Sequence, residues 1–248
     1  MDRVDASAVG AARERPAAIP IVALDYPDSQ SALRLVGQLG ESCRFYKVGS
    51  ELFTAAGPSI IEAIRRAECD VFLDLKLHDI PNTVAGAMRR IRGMGVKLTT
   101  VHASGGMAMI EAAVDAAGAE CGVLAVTVLT SLDSRSLGEV LGAETADIGA
   151  SVLRLAALAS AGGAQGVVCS GDEARLIRAR FGPTLEILVP GVRLPGDSAG
   201  DQSRIVTPEA AAAAGADYLV LGRTVTAARN PEAAMLSVLE RLSIGDRC

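Results

Sequence analysis

Short apolar runs of strand length alternate eight times along this chain with Ala- and Leu-rich stretches of helical character. The runs cover residues 19–25, 44–49, 70–76, 96–103, 122–129, 166–170, 185–190 and 217–222. The stretches between them include 29–39, 58–67, 84–94 and 147–161. Alternating β and α elements predict an α/β fold with a parallel sheet and helices outside it. Eight repeats in a chain of this size favour a closed (β/α)₈ TIM barrel over an open sheet. The competitor is a doubly wound sheet of Rossmann type, but no G-x-G-x-x-G follows the first run. The pattern therefore predicts one barrel over residues 19–248, preceded by a loose tail over 1–18. No low-complexity segment or linker to a second domain interrupts it.

One run departs from apolar character. The stretch Asp74-Leu75-Lys76-Leu77-His78-Asp79-Ile80-Pro81-Asn82-Thr83 follows Val71-Phe72-Leu73. Strand side chains alternate between faces, so Asp74, Lys76 and His78 are expected on one face and Leu73, Leu75 and Leu77 on the other. A carboxylate and an ammonium on the inner face of a buried strand are costly unless they pair. That combination marks a site. Asp79 follows just before a helix start signalled by Pro81.

In barrels of this kind the site lies at the C-terminal strand ends. That layer contains Asp25, Lys47, Asp74, Lys76, His102, Thr130, Ser170, Pro190, Gly222 and Arg223. A strand-end Asp or Thr often only caps the next helix; two lysines and two aspartates together point to function. His102 and Ser170 read as structural. The loops after the seventh and eighth strands commonly hold phosphate. Here they carry Arg193, Gln202 and Arg223, with Gly191 and Gly222 allowing close approach of backbone N–H groups to an anion. The Gly-rich segment 191–204 is a lid candidate.

Half of the 248 residues are hydrophobic, with no tryptophan and few aromatics, so the core must be built from Ala, Val, Ile and Leu. The apolar runs are too short and interrupted to span a bilayer, and residues 1–18 lack the apolar centre of a signal peptide. Five scattered cysteines without a C-x-x-C pair fit free thiols in a reducing cytoplasm, not a zinc site. A formal net charge of −5 argues against general nucleic-acid binding, so an anionic substrate would need locally placed cations.

With these motifs the sequence resembles the orotidine 5′-phosphate decarboxylase family, in its bacterial-type branch. The matching pieces, in order, are Leu24-Asp25, Tyr46-Lys47-Val48-Gly49, the ten residues from Asp74 to Thr83, Thr127-Val128-Leu129-Thr130-Ser131, Pro190-Gly191-Val192-Arg193, Gly200-Asp201-Gln202-Ser203-Arg204 and Gly222-Arg223. One departure is Thr224, where relatives commonly carry proline; it puts the rigidity of that loop in question. The resemblance implies cofactor-independent, metal-free decarboxylation of orotidine 5′-monophosphate to UMP, the last step of de novo pyrimidine nucleotide synthesis, in a cytoplasmic homodimer. It implies Lys76 as proton donor to C6, Asp74 beside the substrate carboxylate, and Lys47 and Asp79 completing an alternating charge array. Asp25 and Lys47 would hold ribose hydroxyls, and Thr130 and Pro190 would lie beside the nucleotide. Arg193, Gln202, Gly222 and Arg223 would take the phosphate, with Gln202 also reaching the pyrimidine. Asp79, Ile80 and Thr83 would contact substrate, Asp79 and Ile80 in the neighbouring subunit's site.

Two rivals stay open on the sequence alone. A magnesium-dependent decarboxylase or aldolase of the same superfamily, acting on a sugar phosphate, shares a D-x-K-x-x-D core. A catalytically dead barrel that binds a nucleotide is the other, and the retained lysines and aspartates speak against it.

Overall fold

The computed structural model describes residues 18–196 and 205–245. Eight strands form a closed parallel barrel: β1 (Ile19–Ala23), β2 (Phe45–Gly49), β3 (Asp70–Leu77), β4 (Leu98–His102), β5 (Gly122–Val126), β6 (Gly166–Val168), β7 (Glu186–Val192) and β8 (Tyr218–Leu221). Each pairs with the next, and β8 returns to β1 with Ile19 opposite Tyr218. The helices are α1 (Ser29–Leu39), α2 (Ser50–Ala56), α3 (Pro58–Arg66), α4 (Pro81–Gly93), α5 (Met107–Ala117), α6 (Ser134–Leu141), α7 (Ile148–Ala161), α8 (Gly171–Phe181), α9 (Pro208–Ala213), α10 (Arg223–Thr226) and α11 (Pro231–Gly245). The (β/α)₈ barrel expected from the alternation is the observed fold. The tail expected over 1–18 lies outside the described residues except for Ala18, which is buried.

Local chemistry explains the helix starts. Asp28, Asp133, Asp147 and Thr207 each accept a hydrogen bond from a backbone N–H in the first turn of the following helix. Proline occupies the first turn of α3, α4 and α9, where its missing N–H has no partner to lose. Helix α4 thus begins at Pro81, three residues before the apolar periodicity suggests.

Strand parity divides the core in two. Outward residues such as Val22, Val48, Leu73, Val101, Val189 and Leu219 pack under the helices. Inward residues Ile21, Phe45, Phe72, Leu98, Leu124, Leu188, Tyr218 and Val220 fill the barrel. Phe45 and Tyr218 meet edge to face at 6.3 Å between ring centroids. At Gly166 an added Cβ would stand 2.4 Å from the Glu186 carbonyl oxygen, so only glycine lets β6 lie this close to β7.

Two strands gain residues near their C-terminal ends. Between Leu73↔Thr99 and Leu77↔Val101, β3 advances four positions where β4 advances two. Between Val189↔Leu219 and Val192↔Leu221, β7 advances three where β8 advances two. Lys76 (φ 49°) and Gly191 (φ 73°) sit in these bulges with left-handed backbone. Bulges of this kind re-aim side chains, and both lie at the cavity mouth.

The opposite end of the barrel is tied by Arg178 of α8. Its Nη2 donates to Asp217 Oδ2 at 2.6 Å and the Gly215 carbonyl at 2.8 Å, and its Nη1 donates to the Gly182 and Leu185 carbonyls. Asp217 Oδ2 also accepts the Ile187 N–H at 2.7 Å. Removing a partly buried group that binds several acceptors leaves those acceptors unmet. Arg178→Ala should therefore cost about 2–3 kcal/mol, a Tm loss of roughly 4–12 °C for a domain of this size. Turnover per folded molecule should stay within about twofold, since the cavity is at the other end. Thermal melts paired with initial rates check both halves.

Candidate active site

Inward positions change character on climbing the barrel. Above the apolar layer of Phe72, Leu124 and Leu188, the next inward residues on β2 and β3 are Lys47, Asp74 and Lys76. They open into a cavity of about 510 Å³, floored by Phe72, Val126, Val168, Leu188 and Val220. Its wall carries Asp25, Lys47, Asp74, Lys76, Thr130, Pro190, Gly191, Arg193, Gly222 and Arg223. Residues from six separate stretches of the sequence thus converge on one concavity at the C-terminal strand ends.

Four of them form a linear chain of alternating charge. Lys47 Nζ lies 2.9 Å from Asp25 Oδ1 and 3.7 Å from Asp74 Oδ2. Lys76 Nζ lies 2.8 Å from the same Asp74 oxygen. Asp74 is buried, so both cations offset the desolvation of a single carboxylate. An added Cβ at Gly49 would come within 3.0 Å of Lys47 Nζ and 3.1 Å of Asp25 Oδ1, so the bare backbone there leaves room for the pair.

The other end of the cavity is cationic. Arg193 leaves β7 directly after its bulge and is buried, its Nη1 donating to the Val192 carbonyl at 3.0 Å. Arg223 opens α10 and is exposed at the rim. Thr224, the departure from the common pattern, is buried and donates from Oγ1 to the same Val192 carbonyl at 3.3 Å. It anchors the loop after β8 to β7, a tie that proline could not make. Chain departing β7 rejoins it at Val206, which bridges to Val192. Gln202 and residues 197–204 of the lid candidate lie outside the described residues.

Other expected positions stand apart. Asp79, Ile80 and Thr83 are exposed and do not line their own chain's cavity; Asp79 Oδ1 accepts only the neighbouring Ile80 N–H, at 2.6 Å, among the contacts described for it. Ile80 is 67% exposed, unusual for its side chain. His78 does not follow Asp74 and Lys76 into the cavity. The strand ends at Leu77, so alternation no longer governs it, and its ring packs on His102 with centroids 5.4 Å apart. Burial, and then the nearby His78 and Lys76, hold the His102 imidazole below its ordinary pKa. Ser170 is buried and caps α8 through Glu173, as its structural reading expects. Among the described residues no three His, Cys, Asp or Glu side chains are grouped to hold a metal ion, and no helix is long and apolar enough to cross a membrane.

Sequence reasoning missed Thr100. Its Oγ1 donates to Asp74 Oδ1 at 2.9 Å and accepts the Lys76 N–H at 2.9 Å. The available signal was a pair of threonines in an otherwise apolar strand, Leu98-Thr99-Thr100-Val101, next to the strand carrying the charges.

The sequence pattern of the orotidine 5′-phosphate decarboxylase / HUMPS family matches residues 19–238. The chain belongs to this family. Among relatives, the orotidine 5′-phosphate decarboxylase of Halorhodospira halophila is 49% identical over 227 residues, covering 90% of this chain and 95% of the relative. That of Thermobifida fusca is 49% identical over 228 residues, covering 91% and 96%. The crystal structure of orotidine 5′-phosphate decarboxylase from Lactobacillus acidophilus superposes with a TM-score of 0.81 at 34% identity, covering 92% of this chain and 99% of that one. Membership of the decarboxylase family spans the whole barrel, and the charged chain and the two arginines all fall within the matched residues.

Proposed function

We propose that this chain decarboxylates orotidine 5′-monophosphate to UMP, as the last step of pyrimidine nucleotide synthesis in the cytoplasm. The observation that carries the reading is the Asp25–Lys47–Asp74–Lys76 chain, centred on buried Asp74 and facing a cavity whose far end holds Arg193 and Arg223. Loss of CO₂ breaks the C6–carboxylate bond and leaves its electron pair on a carbon that delocalises it poorly. An ammonium fixed beside C6 stabilises that charge and then donates its proton there, so the pair becomes the C6–H bond of UMP. Lys76 is assigned this role. Asp74 would lie beside the substrate carboxylate, and repulsion between the two would fall as CO₂ departs. Asp25 and Lys47 would hold the ribose hydroxyls, and Thr130 and Pro190 would flank the nucleotide. Arg193 and Arg223, with the backbone at Gly222 and with Gln202, would bind the phosphate. Remote binding energy of that kind supports catalysis at the reacting end.

No step assigned here uses a metal or an organic cofactor. The direct test is turnover of orotidine 5′-monophosphate, followed by ultraviolet absorbance, in the presence of EDTA. Undiminished turnover is the expected result. Activity that disappears with EDTA, or appears only with a sugar phosphate, would favour the metal-dependent branch of the superfamily.

The exposure of Asp79, Ile80 and Thr83 supports a site completed across a two-fold interface, with Asp79 reaching the partner's cavity. Mixing inactive Lys76→Ala and inactive Asp79→Ala chains should then restore activity. In a mixed dimer one site collects both defects and the other neither. Random pairing makes half the dimers mixed, so activity should approach roughly a quarter of wild type per chain. No recovery, with subunit exchange verified by mass spectrometry, would remove Asp79 from the partner's site.

A further inference from the structure

Thr100 is fully buried on β4 and does not line the cavity, yet it bonds the Asp74 carboxylate and the backbone N–H of Lys76. We propose that Thr100 is a positioning residue for decarboxylation, its hydroxyl locking the Asp74 carboxylate and the Lys76 backbone into the arrangement that aims Lys76 Nζ into the cavity. The β3 bulge sets two inward charged residues, Asp74 and Lys76, against a single inward residue of β4. The extra residues leave backbone groups without ladder partners. Thr99, facing outward, donates to the Leu73 carbonyl at 2.9 Å, and Thr100, facing inward, accepts the Lys76 N–H.

A hydroxyl has one proton to give. The Lys76 N–H takes one of its lone pairs, and the proton goes to Asp74 Oδ1, a carboxylate oxygen that can only accept. Asp74 Oδ2 is left to Lys76 Nζ at 2.8 Å and Lys47 Nζ at 3.7 Å. Lys76 is thereby held at its backbone by Thr100 and at its ammonium by a carboxylate that Thr100 also holds. This closed ring keeps a non-glycine residue at φ 49°, which L-residues seldom adopt. Release of either Thr100 bond frees Lys76 to relax toward ordinary strand geometry, moving Nζ. Displacement of a reacting group by about 1 Å can reduce rate by about 100-fold.

The inference rests on the proposed decarboxylation, which wild-type turnover measured in the same experiment decides separately. The test compares wild type with Thr100→Val, Thr100→Ser and Thr99→Val, using orotidine 5′-monophosphate, thermal melts and amide exchange at Lys76. Thr100→Val should lower kcat by about 10- to 100-fold with KM within about threefold of wild type. Thr100→Ser, which keeps the hydroxyl, should retain kcat within about threefold. Thr99→Val, which loosens the same bulge without touching Asp74, should lower Tm and leave kcat within about threefold. Exchange of the Lys76 N–H should accelerate in Thr100→Val and not in Thr100→Ser, a contact test that needs no turnover. Wild-type kcat or wild-type Lys76 exchange in folded Thr100→Val overturns the proposal. So does a loss in Thr100→Ser, or in Thr99→Val, equal to that in Thr100→Val. If Thr100→Val does not fold, Thr100→Cys carries the same expectation of lowered kcat, because a thiol donates and accepts weakly, and full kcat there overturns it.

Discussion

Replacing Lys76 by alanine should abolish decarboxylation while leaving a folded barrel. Nζ is the proton source assigned to C6 and lies 2.8 Å from Asp74 Oδ2. Without it the developing charge at C6 has neither a nearby cation nor a proton. A positioned general acid alone contributes about 10²–10⁴-fold, and loss of electrostatic stabilisation at the same atom adds to that. The fold should survive for a local reason. Alanine keeps the Cβ, so the backbone at φ 49° changes little in strain, and Asp74 retains the Thr100 hydroxyl and the Lys47 ammonium. Melting within a few degrees of wild type, together with kcat below about a hundredth, is the expected pair of results. A kcat above about a tenth of wild type in the purified variant would exclude Lys76 as proton donor.

Arg223→Ala should act from the other end of the cavity. Arg223 is exposed at the first turn of α10 and would become desolvated when the proposed phosphate covers it. Truncating one partner of such a pair costs roughly 2–5 kcal/mol in kcat/KM. In the proposed reading Arg193 would share the anion, and Thr224 keeps the loop attached to β7, so the defect should be confined to phosphate recognition. The phosphate-free nucleoside orotidine separates the two explanations. With it, wild type and Arg223→Ala should turn over at nearly the same low kcat/KM. An equal loss on nucleotide and nucleoside would mean that Arg223 supports the structure of the rim and not the phosphate.

Several strands end earlier than the apolar pattern suggests, and the shortfall has a physical cause. β1 stops at Ala23 and β5 at Val126, before Asp25 and Thr130, because those polar residues leave the ladder to line the cavity. β7 instead runs past Pro190 to Val192, carried by a bulge with left-handed Gly191. Apolar patterning reports which residues avoid water. It says little about where hydrogen bonding between neighbouring strands stops.

The sequence by itself determined the eightfold β/α alternation, and with it the closed barrel, because burial of apolar strand faces and helix stripes leaves few other arrangements. It also determined that Asp74 and Lys76 share a face, since the period of a strand is two and an excess of two residues preserves it. Only the tertiary structure decided how Lys76 reaches its place, through a left-handed backbone held by a threonine 24 residues away. It likewise turned His78 onto His102 instead of into the cavity, and left Asp79, Ile80 and Thr83 facing outward. Those outcomes depend on strand register and on which distant hydroxyl meets an orphaned N–H. Local periodicity carries no record of either, because both are settled only when the neighbouring strands pack.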